Sequence, residues 1–214
     1  MKNKPAVSAI VALVLLLMLT AGAGAEERLR VVLLGDSLTR GGDWTRLLPE
    51  VETFNHGVSG DTTSMILARL EPVIEVKPEL IFLQGGINDF GRYGPRRYEV
   101  VLKNHLAIWR RLQENLPETR LFIVSLLPVS ERRYPGWNRA ITAFNRELRL
   151  QAEKVGLTFI DLQPLLAETD GGLRPDFTFD GLHLKKEAYL LWAEALKPHL
   201  AAVRTNHDLT DEQK

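Results

Sequence analysis

Three four-residue apolar runs, Val31-Val32-Leu33-Leu34, Leu80-Ile81-Phe82-Leu83 and Leu121-Phe122-Ile123-Val124, most narrowly limit what this chain can become. Runs this short and this continuously apolar read as strands buried on both faces, the habit of a parallel sheet covered by helices. Weaker strands fit 52–55 and 157–160. Helical patterns lie between them. Residues 62–76 carry Ile66, Leu70 and Val73 or Ile74 on one stripe, with Pro78 as a stop. Residues 98–116 space Val101, Leu102, His105, Leu106, Trp109 and Leu112 by three and four. A helix over 138–155 ends at Gly156, and 185–203 forms the last one. Strands alternating with helices predict one open α/β sheet with right-handed crossovers. Such sheets hold their sites outside the carboxyl ends of the strands. Ser37 and the segments 55–60, 85–89 and 126–130 all follow strands on that side.

The first residues predict a leader. Lys2 and Lys4 precede an apolar run over 6–19, and Ala23-Gly24-Ala25 is a small-residue cleavage site before Glu26. The run falls short of the roughly 20 residues of a spanning helix, so a cleaved signal peptide over 1–25 is expected rather than an anchor. The protein would then be periplasmic or secreted. With no cysteine, it has neither disulfides nor a lipid-bearing thiol at its N-terminus and is held together by packing. A domain over 26–204 is long enough for one core, and 205–214 read as a polar tail. The 27 Lys and Arg balance 27 Asp and Glu. No basic field exists for nucleic acid, and Arg96-Arg97 and Arg132-Arg133 read as solvated faces.

Gly35-Asp36-Ser37 places a hydroxyl just past the first strand. Serine becomes a nucleophile when a neighbouring base takes its proton; alternatively, Ser37 caps the next helix. Asp180-Gly181-Leu182-His183 offers an imidazole with a carboxylate three residues away, able to set its tautomer and stabilise the imidazolium. Asp176 is a second choice of carboxylate and His56 a second choice of base. Asn88, in Gly85-Gly86-Ile87-Asn88-Asp89, either closes an Asx turn or donates its amide to an oxyanion. Gly60, in the loop Asn55-His56-Gly57-Val58-Ser59-Gly60-Asp61, offers a backbone N–H, while Asp61 reads as a helix cap. There is no Gly-x-Ser-x-Gly elbow and no compact cluster with zinc spacing, so no metal or cofactor is expected.

Four blocks in order, Gly35-Asp36-Ser37-Leu38-Thr39, Gly57-Val58-Ser59-Gly60-Asp61-Thr62-Thr63, Gly86-Ile87-Asn88-Asp89 and Asp180-Gly181-Leu182-His183-Leu184, resemble the signature of the SGNH hydrolases, or GDSL esterases and lipases. Within that superfamily the segment from Gly57 to Asp89 is most similar to the branch of the platelet-activating factor acetylhydrolase catalytic subunits. The resemblance implies a flavodoxin-like three-layer α/β/α sandwich with a mostly parallel sheet of about five strands. It also implies Ser37 as nucleophile, His183 as base, and Asp180 as its partner. The oxyanion hole would consist of the Ser37 amide, the Gly60 amide and the Asn88 side chain. Arg40-Gly41-Gly42-Asp43-Trp44 departs from the periplasmic lysophospholipase and thioesterase members.

The expected activity is that of a serine esterase on carboxylic esters, short-chain or acetyl, carried by a small molecule or a glycan. Two other readings stand beside it: a lysophospholipase or thioesterase for longer acyl chains, and an envelope-glycan-binding module without turnover. No long apolar lid separates the blocks. Residues 90–98 and 132–137 are expected to border an open polar cleft, unless Tyr93, Tyr134 and Trp137 are ordinary packing groups.

Overall fold

The computed structural model describes residues 28–95 and 98–211, with side chains described through 203. The expected leader therefore lies outside the described residues. Five strands, β1 (Arg30–Gly35), β2 (Glu52–Gly57), β3 (Leu80–Gln84), β4 (Arg120–Val124) and β5 (Thr158–Ile160), form one sheet in the order β2-β1-β3-β4-β5. Every neighbouring pair is parallel, with Val32 opposite both Phe54 and Ile81, and Phe82 opposite Phe122. This is the expected α/β architecture. The helices are α1 (Ser37–Arg40), α2 (Trp44–Leu47), α3 (Thr63–Ala68), α4 (Glu71–Val76), α5 (Ile87–Tyr93), α6 (Tyr98–Asn115), α7 (Trp137–Lys154), α8 (Gln163–Leu166) and α9 (Lys186–Asp211).

Burial follows strand position. β3 is buried throughout, whereas β2, at the edge, is exposed or half-buried along its length. On one side of the sheet, Trp44 meets Trp192 edge-on with ring centres 5.2 Å apart. Trp44 Nε1 donates to Thr39 O, and Tyr189 Oη donates to Leu38 O, both at 2.8 Å. The last helix thereby clamps the first turn after β1, which carries Ser37. On the other side, His105 and Trp109 of α6 are buried in the same core as Phe144 of α7.

Two expectations about helices need adjustment. The pattern over 62–76 is two short helices, because Pro72 has no N–H to give Ala68 and its ring crowds that carbonyl. Lys77 then ends α4 in the left-handed region, at φ 49°. The last helix continues past 203 to Asp211. No glycine or proline follows Pro198 in that stretch to stop it.

Candidate active site

The site begins with a close approach of backbones. At Gly35 a Cβ would stand 2.2 Å from Gln84 O on β3 and 2.1 Å from Thr39 Oγ1, so only glycine lets β1 turn here. The next residue, Asp36, is fully buried and its Oδ1 accepts the Leu38 N–H at 3.0 Å. Asp36, not Ser37, is thus the N-cap of α1. The serine hydroxyl is released from that duty.

That hydroxyl lies 3.1 Å from His183 Nε2. His183 Nδ1 in turn lies 2.7 Å from Asp180 Oδ2. A carboxylate only accepts, so Nδ1 carries the proton and Nε2 is left to accept from Ser37. The other carboxylate oxygen, Oδ1, takes the backbone N–H groups of Leu182 and His183 at 3.0 and 2.8 Å. Partial burial pushes the Asp180 carboxyl up, but the donations from His183 and Leu182 outweigh it and bring it down to about 2. Residues 146 positions apart in sequence, Ser37 and His183, are joined by the fold into one hydrogen-bonded line.

The rival groups are engaged elsewhere. Asp176 forms an ion pair with Arg174 at 2.7 Å. His56, half-buried on β2, makes no ring hydrogen bond among the described residues, and burial followed by the Arg69 charge lowers its pKa. Asp61 does not cap α3, as its sequence position suggested; Thr62 occupies that position. The Asp61 carboxylate instead accepts from Arg69 Nε at 2.5 Å.

Three N–H groups near the serine loop have no protein acceptor among the described residues: those of Ser37, Gly60 and one arm of the Asn88 amide. Gly60 adopts φ 84° at the third position of the turn closed by Asp61 N and Val58 O, a conformation glycine takes freely. Asn88 Nδ2 uses its other arm on Asp61 O at 2.9 Å. These donors follow β2, β1 and β3, three adjacent strands.

A supporting layer escaped the sequence reading. Arg69 donates not only to Asp61 but also to Gly35 O at 2.9 Å and His56 O at 3.0 Å. Thr63 gives both its N–H and its hydroxyl to Asp89, each at 2.8 Å, and Asn104 donates to Thr63 Oγ1. Fully buried His105 holds Gly85 O through Nε2 at 2.9 Å, and burial lowers its pKa to about 4, so it stays neutral. Burial also pushes the Asp36 carboxyl up to about 7, with the charges of Asp89 and Asp61 adding to the effect. Near the site, Trp137 packs on Phe90 and Tyr134 on Trp137, so these two rings are packing groups. Arg132 and Arg133 instead line a cleft with Phe179 and Asp180.

The profile of the GDSL-like lipase/acylhydrolase family matches residues 19–191, most of the chain. Platelet-activating factor acetylhydrolase IB subunit alpha1 of Bos taurus is 27% identical over 188 residues, covering 84% of this chain and 78% of that protein. Among solved structures, a GDSL-like lipase from Bacteroides thetaiotaomicron superposes with a TM-score of 0.70 at 23% identity, covering 86% of this chain and 96% of that one. A catalytic mutant of an acetylxylan esterase from Geobacillus stearothermophilus superposes with a TM-score of 0.64 at 21% identity, covering 80% and 94%. The ordered blocks, the all-parallel sheet that brings them to one edge and the profile match agree: the chain belongs to the GDSL-like lipase/acylhydrolase family, whose chemistry is the hydrolysis of acyl esters.

Proposed function

We propose that the chain is a serine carboxylic-ester hydrolase working through an acyl-enzyme. The observation that carries this is the Ser37–His183–Asp180 line, with separations of 3.1 and 2.7 Å. His183 Nε2 takes the Ser37 proton as Oγ attacks the ester carbonyl, and Asp180 stabilises the imidazolium that results. The Ser37 and Gly60 N–H groups and the Asn88 amide receive the oxyanion. Each such donor is typically worth about 3–4 kcal/mol at the transition state. The His183 proton then passes to the leaving alcohol as the C–O bond breaks. Water, deprotonated by the same nitrogen, releases the acid and restores Ser37.

A short acyl group, acetyl above all, is the favoured substrate feature. Among the described residues, the large exposed apolar side chains in segments 57–61 and 179–183 are single residues, Val58 and Phe179. The acetylhydrolase names of the relatives point the same way. Export to the periplasm or medium is part of the proposal, carried by Lys2, Lys4 and the apolar run that follows them. Intact-mass analysis of the exported protein tests it, with Glu26 expected as the first residue.

Initial rates on p-nitrophenyl esters from acetate to palmitate, with wild type and Ser37→Ala, test the catalytic reading. A Ser37-dependent rate that falls steeply beyond butyrate is expected. Full turnover by a folded Ser37→Ala protein would refute serine catalysis, and an optimum at octanoate or longer would refute the short-acyl assignment.

A further inference from the structure

A polar cleft of about 430 Å³ adjoins Asp180 and touches neither Ser37 nor His183. Its volume is in the range of small-molecule sites. Arg132 and Arg133, from the segment after β4, line it together with Glu168 and Asp170, from the segment after β5. It therefore continues the row of loops that starts with Gly60 after β2 and passes Ser37 and Asn88.

We propose that this cleft is the alcohol subsite, and that it takes a neutral polyhydroxylated alcohol, a sugar ring, against Phe179; the assignment rests on the serine-esterase reading above. Direction supplies the first argument. The acyl oxygen must face the Gly60 and Asn88 donors, whereas the leaving oxygen must face His183 Nε2 to receive its proton. The alcohol therefore leaves on the His183 side of the site rather than on the Gly60 and Asn88 side, and Asp180, shared by the hydrogen-bonded line and the cleft, puts the cleft on that side.

Phe179 supplies the second argument. It directly precedes Asp180 and is 77% exposed, the most exposed large apolar side chain among the described residues. Folding gains almost nothing from an aromatic ring left in water. Beside a reacting centre, the same ring is a flat apolar face for a ligand.

Charge selects the ligand class. The cleft carries both signs, Arg132 and Arg133 together with Glu168 and Asp170, and neither arginine side chain makes a hydrogen bond or ion pair among the described residues. Donors and acceptors placed together match hydroxyl groups, which do both. A phosphocholine alcohol fits less well. Lys185 Nζ already stands 5.5 Å from the Phe179 ring centre and repels a second cation there. An aromatic cage for a quaternary ammonium is also missing from the cleft lining.

The test compares kcat/KM for an acetylated xylo-oligosaccharide with that for ethyl acetate, in wild type, Phe179→Ala and Arg132→Gln. Both variants alter exposed side chains, so folding should survive, and thermal melts check this. Wild type is expected to prefer the sugar ester. Phe179→Ala should cut the sugar-to-ethyl ratio by about five- to tenfold, chiefly through KM, and Arg132→Gln should cut it in the same direction. A ratio untouched by both variants would overturn the subsite. So would a Phe179-dependent preference for an acetylated glycerophosphocholine over the sugar ester. Failure of wild type on ethyl acetate as well as on every other ester would instead overturn the esterase reading itself.

Discussion

The Arg69 guanidinium joins Asp61 through Nε at 2.5 Å, and the Asp61 backbone oxygen accepts the Asn88 amide at 2.9 Å. With its second nitrogen on Gly35 O and His56 O, Arg69 ties the ends of β1 and β2 together and, through Asp61, the start of α5 after β3. The three proposed oxyanion donors follow those same three strands. A planar fork can serve three acceptors at once, which an ammonium group on a flexible stem cannot.

Arg69→Lys is accordingly expected to lower kcat by about 10²-fold, the scale of an ångström-size misplacement, with a much smaller change in KM. Steady-state kinetics on p-nitrophenyl acetate measure this split. A loss confined to KM would show that Arg69 does not position the donors.

Asn88→Ala removes a side-chain donor without touching the Ser37–His183 contact. A fall in kcat of about 10²–10³-fold is expected. The rate of phosphonylation by a p-nitrophenyl phosphonate, whose adduct mimics the oxyanion, should fall in parallel. Retention of that rate would remove Asn88 from the oxyanion hole.

Asp180→Asn retains the size of the side chain but favours the wrong imidazole tautomer, because an amide N–H can face Nδ1. An approximately 10⁴-fold loss in kcat is expected. Since the Asp180 carboxyl is held down at about 2, wild type should show no activity loss from its protonation between pH 5 and pH 8. Its contribution to stability is present above the ordinary aspartate pKa and is lost only as pH falls through about 2.

Asp36 and His105 oppose each other in pH dependence. The folded Asp36 keeps its proton up to about pH 7 while an unfolded aspartate releases it near 4, so its contribution to stability falls as pH rises across that window. His105, held down at about 4, refuses a proton that the unfolded chain binds below about 6.5, so its contribution rises over much the same interval. The two largely cancel. Asp36→Asn leaves the His105 effect uncovered and should make stability rise between pH 4 and 6.5, by up to about 1.4 kcal/mol per pH unit relative to wild type. Urea melts across that range measure the difference, and identical slopes would contradict it.

Gly35→Ala forces a methyl group against the Gln84 carbonyl, which belongs to the neighbouring strand and cannot swing away. Destabilisation of about 1–3 kcal/mol or more is expected from overpacking. Chemical denaturation checks it, and a stability within 0.5 kcal/mol of wild type would show that β1 and β3 can separate locally.

Much of this protein was legible in its sequence because the signals are local. Continuous apolar runs marked β1, β3 and β4, and the three-residue spacing of Asp180 and His183 put a carboxylate within reach of an imidazole. The proposed donors Gly60 and Asn88 stand in turns and blocks that the sequence alone already displays. Pro72 was equally visible, and its effect on the helix over 62–76 follows from one missing N–H.

Other features depended on contacts between distant segments. Asp36, buried by the assembled sheet, takes the helix cap in place of Ser37, and Asp61 turns from its expected capping role to Arg69. Arg69 reaches Gly35 across 34 positions, and the cleft beside Phe179 forms only when the segments after β4 and β5 meet. Strand and helix patterning depends on side chains a few residues apart, so the chain determines it by itself. Which guanidinium serves which carbonyl, and which aromatic ring is left exposed, is decided by the packing of the whole sheet, because those partners have no neighbourhood until the fold exists.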